Sequence, residues 1–327
     1  MHGLWRSATD KSGCATYNRF SGKTVKLEPS DNSNGITVTR MAGSSNHDFC
    51  GTFDGGGHTI TLAIGSAESP FGEDYAALFR NVTTTKANPS DEEDSPASIH
   101  SLVVEGDIYT SAKNAAGIVA NQFGTVTISN CRSSVVIHSS VVNTNGNDGT
   151  HGGIVAVKGN STKAHLTIEG CVFDGKIVST GTGDAATTKC GGFVGYKANN
   201  GTLTIKNSLY APQADDNAVT DGSTFARNWT MPADANCFYT RTLGSAQGKQ
   251  PHSVTAGANV TIGNIALTGD ATAYDVSGIT AYSGGGIHYG DNLYYGKDVV
   301  VTVRWAPDPQ HFAVNADGTY TIKTATG

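Results

Sequence analysis

Three stretches of this chain are copies of one another, and that constrains the fold more than any other feature. They read AAGIVANQFGTVTISNCRSSVVIHSS (115–140), GGIVAVKGNSTKAHLTIEGCVFDGKIVST (152–180) and CGGFVGYKANNGTLTIKNSLYAP (190–212). The glycine before the first apolar triplet falls at 117, 153 and 192, and the isoleucine of the second apolar run at 128, 168 and 205. A degenerate copy precedes them, with AALF at 76–79 and SIHSLVVEGDI at 98–108. Each copy holds three short alternating runs, such as GGIVAV, LTIEGC and GKIVS. No window keeps a helical period for long, and no Asn-Gly hairpin signal separates consistently paired strands. Three strands joined by bends make one triangular coil, and stacked coils pair each strand with its equivalent in the next.

The repeat therefore predicts an all-β chain built on a right-handed parallel β-helix, a three-sided solenoid. Equivalent apolar residues should stack in ladders: Ile118, Ile154 and Phe193; Ile128, Ile168 and Ile205; Val136 and Ile177. Cys131, Cys171 and Ser208 share a position, which predicts buried free thiols rather than reactive ones. The glycine-rich segment CGTFDGGGHTITL (50–62) reads as the sharp corner that opens the stack. Gly55, Gly56 and Gly57 supply positive φ, and Asp54 bonds turn amides. A phosphate cradle is excluded because no helix follows. An Asp54–His58 catalytic pair is the lesser alternative.

Residues 1–44 read as an N-terminal cap, in which Trp5 and YNRF cover the open end of the stack. The β-helix runs over 45–250. From 251 to 327 the pattern changes to alternating strands with Gly/Asp turns, which predicts a small β-sandwich-like module. The chain is expected to belong to a longer native polypeptide.

The motifs G-G-I-V-G, T-I-x-N-C and G-x-I resemble those of the GLUG-repeat proteins of bacterial surfaces. Residues 152–155, 191–195, 127–131, 167–171 and 204–207 carry the likeness, while Ala116 and Ala120 replace glycines and Ser208 replaces the cysteine. The likeness covers roughly residues 45–245. It implies the same β-helix, in an extracellular chain at a bacterial surface or secreted from it. Such repeats occur in immunoglobulin A peptidases and adhesins as well as uncharacterised wall proteins, so the likeness specifies fold more than activity.

Net charge is −6 and there is no basic stripe, so nucleic acid is not an expected partner. No apolar run is long enough for a membrane helix, which predicts no membrane insertion. The six cysteines form no C-x-x-C pair and the ten histidines no close pair, so neither a metal nor a cofactor is expected. GTGDAA (181–186) lacks a βαβ context, and GSAQGKQ (244–250) lacks P-loop spacing.

Loops 139–151 and 179–190 each join the third strand of one coil to the first of the next. They should emerge one above the other, with Asp148, His151, Asp184 and Lys189 as polar candidates for a ligand. Tyr282, Tyr289 and Tyr294 in the C-terminal module offer aromatic platforms for sugar C–H surfaces. Glu105 and Asp107 are the weak catalytic candidates. They lie two apart on one strand, with Val135 and Ile137 at the equivalent positions of the next coil.

Three functions are compatible with these features. The first is a non-catalytic binding or adhesion module for a glycan or a host surface protein. The others are a purely structural stalk or spacer, and a polysaccharide-active β-helix enzyme, a lyase or glycosidase.

Overall fold

The computed structural model describes residues 20–28, 36–45, 48–84, 95–141, 149–179, 189–212 and 222–249. Nine further strands between His252 and Ile322 are described by backbone pairing alone. Every regular element among the described residues is a strand. One parallel sheet stacks Thr24–Lys26, Thr52–Asp54, Ala97–His100, Thr125–Ser129, His165–Glu169 and Thr202–Lys206 in chain order. A second contains Ile36–Val38, Thr59–Ile64 and Val103–Thr110. It continues through the broken strands Arg132–Ser133 with Val136–Ser139 and Val172–Phe173 with Lys176–Ser179, and ends with Leu209–Tyr210 and Phe238–Tyr239. Tyr75–Ala76, Asn114–Ala116 and Thr150–Gly152 form a short third sheet; Phe79–Val82, Val119–Gln122, Val155–Lys158 and Val194–Lys197 form a fourth. Each strand pairs with its equivalent one coil away, which is the parallel β-helix that the repeat predicts.

The third sheet is an addition to the predicted coil. It lies just upstream of the repeat glycine, and residues 117 and 118 turn the chain into the fourth sheet. Ala77, Ala116, Ala120 and Ala156 pack there in a small apolar cluster apart from the main core. Paired rungs also begin earlier than predicted. Thr24–Lys26 and Ile36–Val38, inside the stretch assigned to the cap, already pair in parallel with the next coil. Trp5 and most of YNRF lie outside the described residues.

The inward ladder is continuous. Val25, Phe53, Ile99, Ile128, Ile168 and Ile205 follow one another by direct register. Burying each isoleucine is worth roughly 1.5–3 kcal/mol relative to leaving it exposed. Ile118, Ile154 and Phe193 also stack as predicted, through backbone bonds from Ile118 N to Ile154 O and from Ile154 N to Phe193 O. The third ladder needs a correction. Ile177 pairs with Ile137, whereas Val136 pairs with Lys176 and turns outward. Val135, Val136 and Ile137 are all apolar, so alternation alone leaves the phase of this strand open; counting six residues from the stacked cysteines fixes it.

One corner of the coil explains two of the three glycines: Gly56 and Gly57 have positive φ, whereas Gly55 does not, and an added Cβ there would meet the Ser101 carbonyl of the next coil. Gly57 (φ 78°), Ser101 (φ 54°), Asn130 (φ 51°), Gly170 (φ 62°), Asn207 (φ 49°) and Asn236 (φ 50°) occupy the same position in successive coils. All are left-handed, a conformation that glycine and asparagine tolerate best. Asp54 Oδ1 accepts a bond from Gly56 N at 3.0 Å, as the turn reading requires. The imidazole beside it is that of His100, with Nδ1 3.5 Å away, rather than that of His58. Just after the corner, Cys131, Cys171 and Cys237 are buried free thiols. Their sulfurs donate to the carbonyls of Ser129, Glu169 and Ala235, and Ser208 Oγ donates to Lys206 O in the same way.

The last parallel bridge joins Phe238 to Lys249. From His252 the pairing is antiparallel. Strands Ala273–Val276, Ile279–Tyr282, Gly286–Tyr289 and Asn292–Tyr295 form a meander that His252–Thr255 joins at its edge.

Candidate functional site

The two long connections leave the solenoid from stacked positions. Ser139 pairs with Ser179 at one end, and Gly152 bridges Gly191 at the other, so the bases of the two loops lie one above the other. Asp148 and Asp184 fall outside the described residues. Lys189 stands at the foot of the second loop, where its carbonyl accepts a bond from Arg227 Nη1 at 2.8 Å. The Arg227 guanidinium lies over the Tyr196 ring, 5.5 Å from its centre.

His151 is not on the loop surface. It is wholly buried. Its Nδ1 accepts the Ala115 N–H at 3.0 Å, and its Nε2 lies 2.8 Å from Ser139 Oγ. The amide donor on Nδ1 places the ring hydrogen on Nε2, from which it is donated to Ser139. Burial drives the imidazole pKa down to about 3. The residue ties the strand entering the loop to the strand leaving it, and it is closed to a ligand. Cys190, beside the other loop, is also buried, and burial pushes its thiol up to about 12.

The two weak catalytic candidates diverge. Gly106 between them has φ 96°. Glu105 Oε1 accepts a bond from Thr61 Oγ1 at 3.3 Å on the preceding coil. Asp107 Oδ1 lies 2.8 Å from His138 Nε2 on the following coil. The register sets Ser134 and Val136 at the equivalent positions, one residue before the predicted Val135 and Ile137. The register is the same on both sides of the break between Ser133 and Val136, so the whole predicted equivalence is one residue out of step.

Sequence reasoning missed the partners of these acids. The His138 ring stacks on Tyr109 at 4.1 Å and 3°. One rung along, Asp174 is almost fully buried and chelates Arg132. Its Oδ2 is 3.0 Å from Nε and 2.5 Å from Nη2, and Ser134 Oγ donates to its Oδ1 at 2.6 Å. The outer face of the second sheet therefore carries a polar, aromatic strip of Glu105, Asp107, Tyr109, Arg132, Ser134 and His138. The signal was available as outward positions two apart on neighbouring copies, but it needs the correct phase. Asp107 orients the imidazole through Nε2, and the remaining ring nitrogen, Nδ1, is the one that can accept a hydrogen bond from a ligand.

In the C-terminal meander the three predicted tyrosines do not share a face. Register sets Tyr289 opposite Ile279 and Asn292, and Tyr294 opposite Ile287, which places Tyr289 and Tyr294 on one face. Tyr282, opposite Gly286, lies on the other.

Two further features complete the inventory. A cavity of about 270 Å³ at the final coil is lined by Met231, Pro232, Ala235, Cys237, Gly248 and Lys249, among others. Among the described residues no three His, Cys, Asp or Glu side chains converge as metal ligands, and no helix is long and apolar enough to cross a membrane. Comparisons with protein-family models, curated proteins and solved structures find no match to this chain.

Proposed function

We propose that this chain is a non-catalytic binding module of a bacterial surface or secreted protein of the GLUG-repeat kind, taking a glycan or a host surface protein as its partner. The observation that supports the reading is the stacking of two long connections at one corner of an otherwise regular solenoid. The coil closes without such length. Between Val103–Thr110 and Asn114–Ala116 the same corner is crossed by residues 111–113 alone. The coil therefore does not need connections as long as 140–149 and 180–190 to pair its strands, and the solenoid sets the bases of the two one above the other.

The test replaces residues 140–149 with the shorter 111–113 connection and screens both proteins on mucin glycans, plant polysaccharides and host matrix proteins. The fold should survive, because loop length costs little and the paired strands remain. Binding should be lost. A full chain that captures nothing from these panels would sink the reading.

The Asp107–His138 pair supports a second reading as a polysaccharide-active enzyme, with His138 as a proton acceptor oriented by Asp107. It requires new reducing ends or unsaturated products from a polysaccharide, and their loss in His138→Ala.

A further inference from the structure

Arg80 and Arg227 occupy the same outward column of the fourth sheet, with Ala120, Ala156 and Gly195 between them. Each guanidinium lies over a tyrosine ring, Arg80 over Tyr75 at 5.3 Å and Arg227 over Tyr196 at 5.5 Å. Their hydrogen bonding differs. Arg227 Nη1 donates to the Lys189 carbonyl at 2.8 Å. Arg80 has an 11 % exposed side chain, and its Nε is buried with no hydrogen-bond partner. Among the described residues its ion-pair partner is Glu73, whose Oε2 lies 3.8 Å from Nε, beyond hydrogen-bond length, on a side chain that is 63 % exposed.

A buried guanidinium with an unmet donor is costly, and an exposed carboxylate at that distance compensates little. What meets the need is a planar anionic group accepting from two guanidinium donors side by side. The Tyr75 ring holds the plane of the fork. Glu73 is the internal stand-in, free to swing into solvent.

We propose that Arg80 is an anion-recognition residue, and that its ligand is a saccharide carrying one isolated carboxylate or sulfate. This rests on the proposed binding function and names its ligand class. The position fits that surface. Tyr75 follows the 65–74 connection and is in register with Asn114 and Thr150, so Arg80 belongs to the corner from which the long loops emerge. The column neighbour Ala120 is uncharged and fully buried, so the column offers no second cation beside Arg80. A net charge of −6 also repels polyanions at long range. Both points favour a single anionic centre on a C–H-bearing ring over a polyacidic chain.

The experiment titrates the full chain with sialyllactose, 6-sulfolactose, neutral lactose and a hexaglutamate peptide, and repeats the series with Glu73→Gln and Arg80→Gln. At least one acidic sugar should bind about tenfold or more tighter than lactose, the scale of one charge-assisted pair. Glu73→Gln, an exposed change that leaves the fold intact, should tighten that binding by removing the competitor. Arg80→Gln should erase the preference for acid. The two acidic sugars separate carboxylate from sulfate recognition. Equal binding of lactose, unchanged or weaker binding in Glu73→Gln, or tighter binding of hexaglutamate would overturn the proposal. If neutral glycans bind and shortening loop 140–149 abolishes it, the binding function stands and only the role of Arg80 falls. If no saccharide binds, the role of Arg80 falls, and the screen on host proteins decides what remains of the function.

Discussion

Lowering the pH from 7 to 5 should cost this protein roughly 2 kcal/mol through His151 alone, rising to about 4 kcal/mol at pH 3. The buried ring has no site for a second proton. Its Nε2 hydrogen already points at Ser139 Oγ, and Nδ1 faces the Ala115 N–H donor. Protonation would set two donors against each other in a fully buried place. The folded pKa is therefore held down to about 3, against an ordinary 6.5. The unfolded chain takes up the proton near pH 6.5, and the folded chain takes it up only near pH 3. Between those values the unfolded state binds more protons, so stability rises with pH across the window and is lost as pH falls from 6.5. Above about pH 7 the group contributes no pH dependence.

The assay is urea denaturation of the wild type and His151→Asn at pH 7 and pH 5, followed by tryptophan fluorescence. The asparagine oxygen can take the Ala115 N–H but does not titrate. The variant should be about 1–3 kcal/mol less stable at pH 7, because the bond to Ser139 Oγ is lost and the site is underfilled. At pH 5 the gap should shrink by about 2 kcal/mol. Comparing the two proteins cancels the other nine of the ten histidines and the carboxylates. A gap that stays constant between the two pH values would refute the buried neutral imidazole.

Gly153→Ala should destabilise by about 1–3 kcal/mol, because an added methyl meets the Phe173 ring and the Gly192 carbonyl; a thermal midpoint equal to wild type would remove the close-packing account. Iodoacetamide on native protein should leave Cys50, Cys131, Cys171, Cys190 and Cys237 unlabelled, since all five are buried and the last two are pushed up to about 12; a labelled peptide from any of them, or an intact mass showing a 131–171 bridge, contradicts this. Lys158 is held down to about 8 by burial and by Lys197, so stability should rise from pH 8 to pH 10, and a Lys158→Met variant should lose that rise. Asp107→Asn should change stability by less than about 1 kcal/mol, as for other part-exposed polar pairs, and a larger loss in denaturation would mean that the Asp107–His138 pair holds the coils together.

The inward residues of this chain were legible because stacking forces them to repeat. Ile128, Ile168 and Ile205 could be matched by eye, and so could Cys131, Cys171 and Ser208, since each must fill the same space one coil on. The phase of Val136 was not legible: three apolar residues in a row satisfy either alternation, and only pairing to Lys176 decides between them. His151 was misplaced for a different reason. It stands at the end of a polar loop and reads as part of it, while the two bonds that bury it come from Ala115 and Ser139, residues 36 and 12 positions away. The short third sheet escaped notice because strands of two or three small residues leave no periodicity to detect.

The same logic says where activity can be sought. An inward position is answerable to its neighbours above and below, so a departure such as Ser208 in the cysteine column must still make the bond that the column requires, and Ser208 Oγ does so through Lys206 O. An outward position answers to no such rule. Arg80 and Arg227 stand in a column otherwise filled by alanine and glycine, and Asp107, Tyr109 and His138 share one outer face with the Arg132–Asp174 pair. Packing does not demand a buried arginine beside Ala120, nor an imidazole laid flat on a tyrosine. Side chains with polar groups held in place and no packing role are those for which a ligand is the economical explanation, and on this solenoid they lie on the outer faces and at the loop corner rather than at the glycine turn of residues 55–57.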